Sequence, residues 1–136
     1  MLDDVHQIIT GIVLLTVVGI AYGGTFMLRV VRGGQPANDL QKTFFRAGHA
    51  HAGVLVILGL LVMLLTQLND VGQPWETCAF GVLFAAILMP AGFFVSVIGR
   101  DPQRPNQLIM LLWIGAAGLA VGLLAAGIGL IAAGTS

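Results

Sequence analysis

Four long apolar runs, over residues 8–31, 45–65, 77–98 and 108–133, constrain this chain more than any motif in it, and the last two hold no acidic or basic residue. Crossing the hydrocarbon core of a bilayer takes about twenty residues of helix, and every run is long enough. The runs are continuous. Strands of a membrane barrel would alternate apolar and polar residues instead, so helices are the expected form. The fold class that follows is all-α, an integral membrane four-helix bundle in which residues 1–136 make one domain.

Composition points the same way. Hydrophobic residues make up 57% of the chain and charged residues 9%, against roughly a quarter charged in a typical soluble domain. Six basic and six acidic residues cancel, so net charge gives no sign of nucleic acid, and the partner that composition demands is the lipid bilayer. The acidic opening Met1-Leu2-Asp3-Asp4 lacks the basic n-region of a cleavable signal, so the first run is expected to stay in the mature protein.

Three polar, turn-forming linkers, 33–39, 69–74 and 100–106, separate the runs. Arg29, Arg32, Lys42 and Arg46 flank the first linker, and Arg100 and Arg104 lie in the third. The positive-inside rule therefore places linkers one and three in the cytoplasm and both termini outside, in the inner membrane of a bacterium.

Small residues let membrane helices approach closely. Gly115, Gly118, Gly122, Ala126, Gly129 and Ala133 form a stripe along the fourth helix. Gly19 and Gly23 repeat the spacing in the first helix, as do Gly48 and Ala52 in the second. Packing within one bundle accounts for such stripes, and their extent adds an expectation of a homo-oligomer. Pro90 removes a backbone donor in mid-helix, so a kink is expected there. The single cysteine, Cys78, reads as a small hydrophobe.

The chemistry concentrates at the start of the second helix, in Phe44-Phe45-Arg46-Ala47-Gly48-His49-Ala50-His51-Ala52-Gly53. Neutral imidazole has a donor and an acceptor to satisfy, and lipid offers neither. One explanation places both histidines at the membrane edge, bonded to water or linker carbonyls. Another makes one of them a ligand. At about 100° per residue the two rings point about 160° apart, so they do not chelate one ion together. A zinc cage would want an i, i+3 or i, i+4 pair. An axial bond to haem iron asks for one imidazole and an apolar slot, and without a CxxCH sequence the haem would be b-type. His6, beside Asp3 and Asp4, reads as an interfacial helix-start residue. Tyr22 reads as an interfacial anchor at a depth from which it also reaches toward His51. The lack of acids and bases across the third and fourth helices speaks against a proton or ion relay.

His6, the broken first linker, Ala50-His51-Ala52-Gly53 and Gly92-Phe93-Phe94 together resemble a family of small four-helix membrane isomerases that includes styrene oxide isomerase and hydroxylaminobenzene mutase. The resemblance implies a homo-oligomer, a trimer in that family, with haem b between neighbouring subunits and His51 as the axial ligand. His49, Tyr22 and Phe94 are the further cofactor-binding candidates. It also implies a redox-neutral rearrangement of a small apolar substrate, with ferric haem as Lewis acid toward an epoxide and hydride migration giving an aldehyde. Ile57 stands where the isomerase has an asparagine, and Phe94 where it has a tyrosine. Two other readings stay open: a membrane haem protein for electron transfer or sensing, and a non-catalytic subunit that packs through its glycine stripes.

Overall fold

In the computed structural model, which describes residues 3–135, the chain is helical with no strand among those residues. The order is α1 (Asp4–Val31), α2 (Asp39–Leu68), the short α3 (Trp75–Ala79), α4 (Gly81–Val95), a 3-10 turn (Gln107–Ile109) and α5 (Met110–Gly134). Taking α3 with α4 and the 3-10 turn with α5, four helical segments are long and apolar enough to cross a membrane.

Several boundaries differ from the sequence reading; α1 begins at Asp4 instead of residue 8, and α2 ends at Leu68 instead of residue 65. The second helix begins six residues earlier than expected, at Asp39, because Asn38 and Gln41 form a capping box. Gln41 N–H donates to Asn38 Oδ1 at 2.9 Å, and Asn38 N–H donates to Gln41 Oε1 at 3.1 Å, which satisfies two N-terminal donors reciprocally. The third span is broken at Phe80 and ends at Val95, short of the expected residue 98. Pro90 lies inside α4, which continues on both sides of it. The break falls beside a close approach of α5, since a Cβ on Gly81 would lie 2.4 Å from Gly118 O.

The core lies among α2, α4 and α5. Leu55 and Val56 of α2 pack on Ala85, Ala86 and Met89 of α4. Val62, Ala79, Val82 and Ala126 form a second cluster that joins all three spans. The expected glycine stripe is the seam of α5 against α3 and α4. A Cβ on Gly115 would lie 2.9 Å from Met89 N, one on Gly122 2.7 Å from Val82 N, and one on Gly129 2.7 Å from Trp75 Cβ. Packing inside one chain therefore occupies most of that stripe.

α1 is peripheral. It lies along α2, and no residue of its most apolar 18-residue stretch is buried. Its buried residues sit near its two ends: His6 at one, Met27 and Val30 at the other.

Polar side chains fasten the two ends of the bundle. At one end Gln41, itself buried, donates to Val97 O at 3.0 Å and Gly99 O at 3.1 Å, and Asn38 donates to Asp101 Oδ1 at 2.8 Å and Pro102 O at 2.7 Å. Asn106 Nδ2 donates to Val95 O at 3.1 Å. Carbonyls at the end of α4, which have no partner in the helix itself, are satisfied in this way. Linkers one and three thus meet at the same end.

At the opposite end His6 closes α1 onto α3. The sequence reading put this histidine at the start of the helix, near an interface; in the bundle it is only 7% exposed. Its Nδ1 lies 2.7 Å from Asp3 Oδ1 and its Nε2 3.4 Å from Glu76 Oε1, and its ring packs on Phe80 at a centroid distance of 5.6 Å. Burial follows because α3 carries Glu76 and Phe80 to the position where α1 begins. Glu76 is held in turn by Gln67 and Gln73, both donating to its carboxylate.

Candidate functional site

The histidine pair lies in the first half of α2, a few turns in from the Gln41 clasp. Helix geometry sends the two rings to different neighbours, as their spacing requires. His51 turns toward α4 and His49 toward α1.

His51 is half-buried, and its ring packs against Phe93 with centroids 5.0 Å apart. Its Nδ1 lies 2.8 Å from Ala47 O, one helical turn back. A carbonyl oxygen only accepts, so Nδ1 carries the proton and donates. The neutral ring then keeps its lone pair on Nε2. Ligating histidines are commonly fixed in this way, by an N–H···O=C bond on the nitrogen that does not touch the metal.

His49 rests on the glycine face of α1. A Cβ on Gly23 would lie 3.6 Å from its Nδ1, and one on Gly24 3.8 Å from its Nε2. Paired glycines leave a flat seat for the imidazole. The ring is half-buried and makes no hydrogen bond to the described residues.

Around His51 the α2–α4 seam is aromatic. Phe44 meets Phe93 edge-on at 5.6 Å, Phe45 stacks on Phe94 at 5.6 Å, and Phe26 of α1 meets Phe45 at 5.4 Å. Gly48 permits this contact: a Cβ there would lie 2.8 Å from Phe94 Cε2 and 3.0 Å from Phe93 Cβ. Phe94 therefore sits on the same seam as His51, but Phe93 is the ring that touches the imidazole. Phe93 was legible in the sequence only as part of Gly92-Phe93-Phe94.

The other candidates are placed apart from this seam. Tyr22 is 71% exposed on the outer face of α1, and Ile57 is 70% exposed on α2. Cys78 is free and half-buried in α3. Among the described residues no three of His, Cys, Asp and Glu are gathered about one point that would hold a metal ion. Compared with known proteins, the chain matches no family model, no curated protein and no solved structure.

Proposed function

We propose that the chain is an integral membrane protein of a bacterial inner membrane that binds haem b through His51 and rearranges a small apolar epoxide or hydroxylamine without net redox change. On this reading linkers one and three face the cytoplasm, both termini face outside, and copies associate as a homo-oligomer. The observation that carries it is the His51 Nδ1–H···O=C bond to Ala47, which fixes the ring and leaves Nε2 as the nitrogen that would ligate.

The donor type suits the group, on a seam that is apolar and closely packed. One imidazole of set tautomer, on an apolar aromatic seam, is what an axial ligand needs. Bound ferric haem supplies a Lewis-acidic iron. The chain's own share is orientation and exclusion of water. Ala47 O and the Phe93 ring set the plane of His51. Phe44, Phe45 and Phe94 keep its surroundings apolar. His49 on its glycine seat is the second candidate ligand. Substrates of this class partition into the bilayer and arrive from the side.

A second reading rests on Ile57 and Phe94. Where the isomerases hold an asparagine and a tyrosine, this chain offers two apolar side chains with nothing to orient an epoxide, and a haem protein for electron transfer or sensing needs neither group.

Purified protein supplied with haem is expected to show a Soret band, lost in His51→Ala and kept in His49→Ala. Retention of the band in both variants would discard the ligand assignment. With haem bound, conversion of styrene oxide to phenylacetaldehyde supports the isomerase. A haem-loaded protein that forms no aldehyde transfers the case to electron transfer or sensing.

A further inference from the structure

A cleft of about 230 Å³ opens between α1 and α2 at the end of the bundle that carries the arginines. Met27, Val30 and Val31 of α1 form its floor, and Lys42 and Arg46 of α2 form its rim. Met27 and Val30 are 9% and 3% exposed and belong to the packed structure, while Val31 is 72% exposed at the outer edge of the floor.

The rim is short of negative charge. Arg46 Nε donates to Lys42 O at 3.3 Å, a neutral acceptor, and among the described residues its guanidinium meets no carboxylate. Lys42 Nζ lies 3.3 Å from Asp39 Oδ1, but the Asp39 side chain is fully exposed, and a pair so open to solvent is heavily screened and contributes little. Along 29–46, Arg29, Arg32, Lys42 and Arg46 face only this one acid.

We infer that this cleft binds the phosphodiester headgroup of an anionic phospholipid, with Arg46 and Lys42 on the phosphate and the first acyl methylenes on Met27, Val30 and Val31. Two cations above an apolar floor complement a molecule that is anionic at one end and hydrocarbon at the other, and basic pockets between helices at a membrane surface recognise lipids by this combination. Guanidinium gives the phosphate a planar fork of donors, and ammonium adds a point charge. The inference needs the chain to lie in a membrane and needs nothing of haem.

Native mass spectrometry and thermal unfolding of the detergent-purified full chain test it. Phosphatidylglycerol is expected to be retained and to raise the unfolding temperature, where phosphatidylcholine of the same chain length does neither. Joint replacement by Lys42→Gln and Arg46→Gln should weaken phosphatidylglycerol binding roughly thirtyfold, taking about 1 kcal/mol for each cation near a membrane surface. Arg104→Gln, in the third linker, should leave it unchanged. Equal retention of the two lipids by the unaltered chain overturns the inference, and so does full binding by the double variant. Inorganic phosphate that alone gives the same temperature shift would reassign the cleft to a free anion. The Soret band of haem-loaded protein is independent of these outcomes, so failure here and failure of the haem reading are told apart.

Discussion

Replacing Gly122 by alanine tests whether the glycine stripe of α5 is an internal seam. The added methyl would lie 2.7 Å from Val82 N, 2.9 Å from Val82 Cγ2 and 3.1 Å from Gly81 C. Two of these three atoms are backbone, so the strain is not relieved by turning a side chain; α4 and α5 must separate by a few tenths of an ångström. Overpacking of this kind costs about 1–3 kcal/mol, offset by the roughly 0.5–1 kcal/mol that alanine gains over glycine in a helix. A net loss of about 1–2 kcal/mol follows. Gly127, five residues along the same helix, has nothing within 4 Å of where its Cβ would be, so Gly127→Ala keeps only the helix gain and should be neutral or slightly stabilising. Titration of micelle-embedded protein with sodium dodecyl sulfate, followed by fluorescence of Trp75 and Trp113, reads both. Light scattering on the same samples reports the mass of the assembly. The reasoning is refuted if Gly122→Ala unfolds at the unaltered chain's midpoint. It is refuted equally if that variant dissociates an oligomer while each chain stays as stable as before, because the stripe would then lie between chains.

Further expectations follow from the two fastened ends. Gln41→Ala leaves the Val97 and Gly99 carbonyls without their donor and should cost about 1–3 kcal/mol, with faster amide exchange around residues 97–106. His6→Ala removes the side chain that joins α1 to Asp3, Glu76 and Phe80, so amide exchange should quicken over residues 4–12 while the α2–α4 core is unchanged. Acceleration spread evenly over the bundle would contradict a local latch. The Asp3 carboxyl titrates below its ordinary value, chiefly because His6 N–H donates to it and then because of the His6 ring. Its folded value thus lies below its unfolded one, so its contribution is present above about pH 4 and is lost as pH falls through the folded value. Unfolding midpoints compared over acidic pH should show this fall in the unaltered chain and its absence in Asp3→Asn.

The sequence displayed the spans well because their signal is local: an uninterrupted apolar run reads as a membrane-crossing helix whatever its neighbours are. Most of its failures depended on contacts distant in sequence; the start of α2 is the exception. The first turns of α2 carry Gln41, Lys42 and Thr43 and look like linker, although the Asn38-x-x-Gln41 spacing of a capping box was there to read. Nothing near Phe80 announces a break, since its setting is the approach of Gly81 to Gly118 in another helix. The burial of His6 was not legible because the partners that bury it, Glu76 and Phe80, are about seventy residues away. The opposed directions of His49 and His51 were legible from helix geometry. Which neighbour each would meet was not, because only the packing of α1 and α4 on either side of α2 selects Gly23, Gly24 and Phe93.

The third span, Trp75–Val95, has 21 residues, against 28 for the first and 30 for the second. At about 1.5 Å per residue these lengths are about 32, 42 and 45 Å, so the rim of the bundle is stepped. A bilayer of ordinary thickness, about 30 Å of hydrocarbon, suits the short member and leaves two or so turns of each longer one among the headgroups. Gln41 and Asn106 stand over this low side of the rim, where the carbonyls of α4 end early. The bundle is therefore better matched to thin membranes than its longest helix implies. Thickening the lipid should load first onto residues 96–106, where tilt of the long helices offers no relief.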